Sequence, residues 1–304
     1  MNVKRETKIK MKTEGMGSDR RTDVNNDRKA AKAEETNPKT EAASVRGMLD
    51  NAEMILVGLG EEFDNSPQMR DCGEYIRGVE WLKERELRFL LPAWHEFCLK
   101  KRACSDVKKA LERLSGLLEG RNYFVVSAAM NGEIARAAWR RERTVMPCGS
   151  TVRLQCAGGC GETLREVSAE AESCLREGFE ILYKKGEGLP EDWPAGMGRC
   201  EICGENLTFN NIYAENYLES GYTEQWQLYL KWLQGTVNRR LTVLELGVGM
   251  QFPSVIRWPF EKAVYFNQKA YLYRVNEKLY HLTEELSGKG VGIPQNAIEW
   301  LKRL

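Results

Sequence analysis

Leu241-Thr-Val-Leu-Glu-Leu-Gly-Val-Gly-Met-Gln-Phe-Pro-Ser-Val-Ile-Arg-Trp-Pro-Phe260 begins as an apolar run, breaks on Gly247-Val-Gly249 and resumes as a helix start near Pro253. A short apolar run closed by glycines reads as a buried strand entering a loop. Glycines at such a place make either an ordinary turn or a loop whose backbone N–H groups approach a phosphate or ribose at the carboxyl edge of a parallel sheet. The signature recurs upstream, where Ala52-Glu-Met-Ile-Leu-Val57 runs into Gly58-Leu-Gly60. Tyr123-Phe-Val-Val126 and Ala270-Tyr-Leu-Tyr-Arg-Val275 add two further strands. Helical spacing fills the intervals Tyr75–Leu91, Pro92–Leu118, Glu133–Trp139 and Gln225–Leu233, and a last helix is expected over Pro294–Leu304 with its proline in the first turn. This alternation specifies an α/β fold built on a doubly wound, mostly parallel sheet.

A chain of 304 residues with 42% hydrophobic content buries a sizeable core without help from disulfides. Lys+Arg 45 against Asp+Glu 44 leaves a formal charge of +1, so no global field draws nucleic acid or an acidic membrane surface. No apolar run approaches the ~20 residues that span a bilayer, and the first residues lack the apolar stretch of a secretory signal. A soluble, reduced, cytoplasmic setting is therefore expected. Residues 1–46 contain no Leu, Phe, Tyr or Trp and read as a disordered polar tail, with residues 47–304 forming the folded domain.

Residues 147–221, rich in Gly and Cys, interrupt the strand–helix alternation and read as an inserted small module. Cys156-Ala-Gly-Gly-Cys160 and Cys200-Glu-Ile-Cys203 are two close cysteine pairs with glycines that permit tight knuckles. Four thiolates so spaced make a tetrahedral structural zinc site of the ribbon type, with no position left open for water. A thioredoxin-like redox pair would need the second motif to follow a strand and open a helix, whereas Cys200 follows a loop. Cys72, Cys98, Cys104 and Cys174 lie in helical stretches, where filling the core or the surface is the default.

Strand–glycine opening, second strand, inserted four-cysteine module and late Gly-x-Gly loop together resemble the sirtuins, most closely the bacterial macrodomain-linked branch, over most of residues 50–304. Leu244–Phe260 carries the likeness best, with Asn122-Tyr-Phe-Val-Val-Ser127 and Val275-Asn276 as further matches. The resemblance implies a Rossmann-type fold that holds NAD through Gly58, Gly60, Ser127, Gly247 and Gly249, with Asn276 at the adenosine ribose. It also shows where this chain departs from the family. Glu61-Glu62-Phe63-Asp64 replaces small residues in the first loop, and carboxylates beside a pyrophosphate repel it. Leu59 and Phe63 are expected to crowd that loop. Ala129 stands where the family uses Asn, Asn131 where it uses Asp, and Cys148 where it uses the general-base His. The two histidines, His95 and His281, lie far from that position in sequence and read as packing or surface residues.

These replacements imply a sirtuin-like protein impaired in catalysis that works by binding a protein partner, with residual NAD recognition open. The alternative is an active NAD-dependent transferase, an ADP-ribosyltransferase before a deacylase, because the closest branch already lacks the histidine. A third possibility is a thiol enzyme using Cys148, which needs a lowered pKa; Arg143 and Arg153 are near it in sequence. Arg136-Ala-Ala-Trp-Arg-Arg-Glu-Arg143 is basic with one aromatic, enough to touch a phosphate but not a basic surface for nucleic acid.

Overall fold

The computed structural model describes residues 38–64, 69–102, 106–161, 163–186 and 196–304. Helix α1 (Pro38–Asn51) leads into strand β1 (Met54–Leu59), followed by α2 (Gly73–Glu84), α3 (Leu91–Lys101) and α4 (Val107–Leu118). Strand β2 (Tyr123–Ser127), the short α5 (Gly132–Ala135) and β3 (Thr144–Val145) come next. Then follow β4 (Gly149–Cys156), β5 (Arg165–Glu166), α6 (Ala169–Lys185) and β6 (Leu207–Asn211). The chain closes with α7 (Ser220–Gln234), β7 (Leu241–Leu246), α8 (Arg257–Phe266), β8 (Ala270–Val275), β9 (Gly290–Ile293) and α9 (Ala297–Arg303).

Six strands form one sheet in the order β3-β2-β1-β7-β8-β9, and every pairing in it is parallel. Every residue of β1, β2 and β7 is buried, as a sheet covered on both faces requires. One face packs Ile55, Val57 and Leu59 against Val45 and Leu49 of α1, Leu111 and Leu114 of α4, and Trp300 and Leu301 of α9. The other packs Leu56, Phe124 and Val243 against Tyr229 and Trp232 of α7 and Phe260 and Val264 of α8. Chain order reverses between β1 and β7, which pair with Gly58 opposite Glu245 and Leu59 opposite Leu246. Both glycine loops thus leave the carboxyl ends of adjacent strands at the topological switch point, where open α/β sheets take ligands.

Three boundaries differ from the sequence reading. Ordered chain starts before residue 47, because α1 already runs from Pro38 and buries Val45 and Leu49, four residues apart, in the core. The rest of the expected tail, residues 1–37, lies outside the described residues. The last helix starts at Ala297, not Pro294, because the Asn296 side chain accepts from the N–H groups of Ile298 and Glu299 and caps it there. Finally, the second unit draws on more chain than 147–221. Its antiparallel sheet, in the order β5-β4-β6, buries Leu154 and Phe209 with Phe179 of α6, but also with Leu82 of α2 and Trp94 of α3.

Candidate nucleotide crevice and metal centre

At the switch point the two glycine loops touch each other. A Cβ added to Gly60 would lie 2.3 Å from the Val248 Cα, and one added to Gly58 would lie 2.5 Å from Ile256 and 2.8 Å from Phe260. Gly58 is therefore glycine so that α8 can lie on β1, and Gly60 so that the second loop can cross it. Gly247 has φ +63, and an added Cβ would meet the Glu62 side chain at 2.6 Å.

Two of the backbone donors that such a loop offers to a phosphate are already taken. Glu61 Oε2 accepts from Gly249 N at 2.5 Å, and Glu61 Oε1 accepts from Gln251 N at 3.0 Å. Glu62 accepts from Glu277 N at 2.9 Å and from Ala297 N, at the start of α9, at 2.7 Å. Burial raises the Glu62 pKa, against the two backbone bonds that lower it. These two carboxylates were read in the sequence as a source of repulsion. In the structure they are internal anions bonded to the second loop and to the chain beyond it. Phe63 does not crowd the loop, since its ring is fully buried in the core beside Leu59, Leu244 and Val275. Asn276 acts as the turn residue of its own loop: Oδ1 accepts from Lys278 N at 2.9 Å and Leu279 N at 2.7 Å, and Nδ2 donates to Val248 O at 3.2 Å.

Beneath the second loop lies an ionic cluster that the sequence reading missed. Arg274 donates to both oxygens of Glu245, at 2.7 and 3.0 Å, and to Glu261 at 2.7 Å, and both Arg274 and Glu245 are buried. Arg257 lies 3.3 Å from Glu245 and donates to Val248 O at 2.7 Å, so the cluster grips the peptide between the two loop glycines. Alternation of acid and base across paired strands, Glu245 opposite Arg274, is the only signal a sequence could have given.

In the loop after β2, Ser127 donates to Ala129 O at 2.7 Å and is fully buried. Asn131 caps α5, accepting from Glu133 N at 2.9 Å and donating to Phe63 O at 3.0 Å. Asp64, the last of the altered first-loop residues, accepts from Met130 N with both oxygens at 3.0 Å, and burial pushes its pKa up to about 7. Glu96 accepts from Gly132 N at 2.7 Å and from the Thr151 hydroxyl. Cys148 is buried, and desolvation followed by the Asp64 and Glu61 carboxylates drives its thiol up to about 12, the reverse of what a nucleophile needs. Neither nearby arginine helps it; Arg153 donates instead to Gly221 O at 2.8 Å. His95 is half-buried, its Nδ1 2.5 Å from the Tyr75 hydroxyl, and burial lowers its pKa to about 4. The His281 ring stacks on Tyr280.

In the second unit the four predicted ligands converge, with all their Sγ atoms within 4.8 Å of one another. Cys156–Cys203 and Cys160–Cys200 stand at 3.4 Å and Cys156–Cys160 at 3.5 Å, too long for a disulfide and close to the edges of a tetrahedron with ~2.3 Å metal–sulfur bonds. Gly159 (φ +63) and Gly204 (φ +76) make the two knuckles, as the glycine spacing led one to expect. Four soft thiolates fit a metal ion. Cys72 and Cys98 are buried and Cys174 is half-buried, while Cys104 lies outside the described residues.

No family model matches the chain. It is 22% identical over 280 residues to a protein ADP-ribosyltransferase of Staphylococcus aureus, covering 82% of this chain and 86% of that one. It is 27% identical over 149 residues to a probable bifunctional ADP-ribose hydrolase/ADP-ribosyltransferase of Fusarium oxysporum f. sp. cubense, which is 48% of this chain and 24% of the relative. The chain thus matches about a quarter of the length of the fungal protein. Among solved structures, a Sir2 homolog–NAD complex aligns over 86% of this chain and 91% of its own with a TM-score of 0.47 and 13% identity. Sir2 bound to an acetylated peptide aligns over 86% and 95%, with a TM-score of 0.46 and 11% identity. In class the chain is an α/β protein, a six-stranded parallel sheet with an inserted unit carrying four clustered cysteines. No helix among the described residues is long and apolar enough to cross a membrane.

Proposed function

We propose that this protein is a cytoplasmic, sirtuin-like binding or scaffolding protein impaired in catalysis, its second unit held by one structural zinc ion on Cys156, Cys160, Cys200 and Cys203. The observation that carries the reading is the seating of Glu61 on the N–H groups of Gly249 and Gln251. On this reading a pyrophosphate would need those same N–H groups, so NAD would have to displace the carboxylate and then bear its charge. Two further features agree with it. Cys148 stands buried and protonated where the family's base would be, and Ala129 offers no polar group at the nicotinamide end. Zinc, coordinated by four thiolates, supplies folding energy and no catalysis. The partner expected is another protein, held without membrane or nucleic acid.

A thermal-shift titration with NAD tests this. A ligand present at a hundred times its dissociation constant adds about 2.7 kcal/mol to stability, and the proposal predicts no shift at millimolar NAD. A clear shift, together with ADP-ribose found by mass spectrometry on a co-incubated protein, would instead establish the second reading, an NAD-dependent ADP-ribosyltransferase. That reading draws its support from the similarity, over most of this chain, to a protein of that name. Rapid alkylation of Cys148 at neutral pH would be needed for a thiol enzyme, and a thiol raised to about 12 predicts slow labelling.

A further inference from the structure

The basic run Arg136–Arg143 plays no part in the crevice, yet the fold gives it a cavity. A space of about 350 Å³ opens between the end of α5, strand β3, the β4–β5 edge and the first turn of α7, with none of the glycine-loop residues in its lining. That volume lies in the range of sites for drug-sized ligands. Trp139 and Tyr222 line it as aromatic surfaces, and Arg136, Arg141 and Arg153 bring three guanidinium groups to it. Glu172 takes Arg136 at 3.2 Å, and Glu166 faces Arg153 across the β4–β5 pair. The Arg141 guanidinium has no hydrogen-bond or ion-pair partner among the described residues, so the surplus is one positive charge. Arg153 is half-buried, and burial and then the neighbouring Arg141 lower its pKa. Both residues line the one cavity, where an anion would relieve the disfavoured charge on Arg153, and Arg is the side chain best matched to a phosphate. Aromatic faces beside a phosphate seat suit a nucleobase, whose stacking contributes roughly 1–3 kcal/mol.

We propose that this cavity is a mononucleotide site, with the phosphate on Arg141 and Arg153 and the base against Trp139 and Tyr222. A single surplus charge favours a monophosphate over a polyphosphate. The site is separate from the glycine-loop crevice and stands whether or not that crevice binds NAD.

Calorimetric titration of the full chain with AMP, GMP, CMP and UMP tests it, with adenosine and inorganic phosphate as the two halves of the ligand. At least one monophosphate should bind saturably below about 1 mM. Phosphate alone and nucleoside alone should each bind at least tenfold more weakly. Arg141→Ala, an exposed change that leaves the core intact, should weaken binding tenfold or more, and Trp139→Phe should retain most of it. Arg140→Ala, a residue outside the lining of this cavity, should leave it unchanged. No heat from any monophosphate, equal binding of free phosphate, or indifference to Arg141→Ala would each overturn the proposal. Glu61→Ala separates the two sites: AMP affinity unaffected by that change supports the cavity, and AMP affinity that follows it places the ligand in the crevice and sinks the proposal.

Discussion

Glu61 follows Gly60 directly, and that adjacency decides its role, because a side chain leaving the first loop at its tightest point reaches the N–H groups of Gly249 and Gln251 across the switch point. Residue identity at the altered positions was legible in the sequence, but what the new residues do was not. Repulsion of a phosphate was readable from two adjacent acids; their bonding to the opposite loop depended on a strand pairing between residues far apart in the chain. The role of Asp64 was unreadable for the same reason, its partner Met130 being supplied by the neighbouring strand's loop. Its raised pKa gives a prediction with a definite sign. A carboxyl that titrates near 7 when folded and near 4 when unfolded contributes stability fully below the unfolded value, and that contribution is lost as pH rises towards 7. Asp64→Asn should therefore gain stability relative to wild type between pH 5 and pH 8, by about 2–3 kcal/mol, because about two of the roughly three pH units between the unfolded and folded values fall in that window. Chemical denaturation of both proteins at the two pH values checks it, and equal differences at both would show that Asp64 titrates normally. Arg274→Met, which strands Glu245 in the core, should cost about 3–5 kcal/mol, measured in the same way.

At the scale of elements, the central strands β1, β2, β7 and β8 were readable as apolar runs ending in glycine or polar residues, whereas β9, Gly290-Val-Gly-Ile293, was not. Two glycines in an edge strand erase the pattern, and the structure shows why they are needed: a Cβ at Gly292 would meet Tyr280 O at 2.1 Å, and one at Gly290 would meet Leu272 O at 2.6 Å. The expected helix over Pro92–Leu118 is two helices, α3 and α4, and sequence spacing alone did not separate them. Helix α8 was foreseen only as a start near Pro253, and its contact with β1 explains the first glycine of the first loop. Gly58→Ala should destabilise by roughly 1–3 kcal/mol through overpacking against Ile256 and Phe260. A midpoint shift of that size in urea unfolding checks this, and a neutral result would mean that α8 stands further from the sheet.

The whole molecule divides its labour between a parallel sheet, whose two glycine loops are linked through Glu61, and a second unit built around four thiolates. That division was legible in outline, since two cysteine pairs and four apolar runs are local patterns. It was not legible that α2 and α3, encoded before β2, help to cover β4 and β6, because packing between distant segments leaves no periodic trace. Metal analysis of the purified protein should find one zinc per chain, and Cys160→Ser or chelation should remove it. Hydrogen exchange should then rise across β4–β6 and α6 while β1, β2 and β7 stay protected, because the two cores are separate clusters. Loss of protection throughout would show one cooperative unit. The most direct test of the central claim, that Glu61 acts as the crevice's resident anion, is calorimetric titration of NAD into wild type and Glu61→Ala side by side. The account predicts no measurable binding to wild type at millimolar NAD, with any binding that appears confined to the variant whose Gly249 and Gln251 N–H groups are free. Micromolar binding to wild type, undiminished by its intact Glu61, would contradict it.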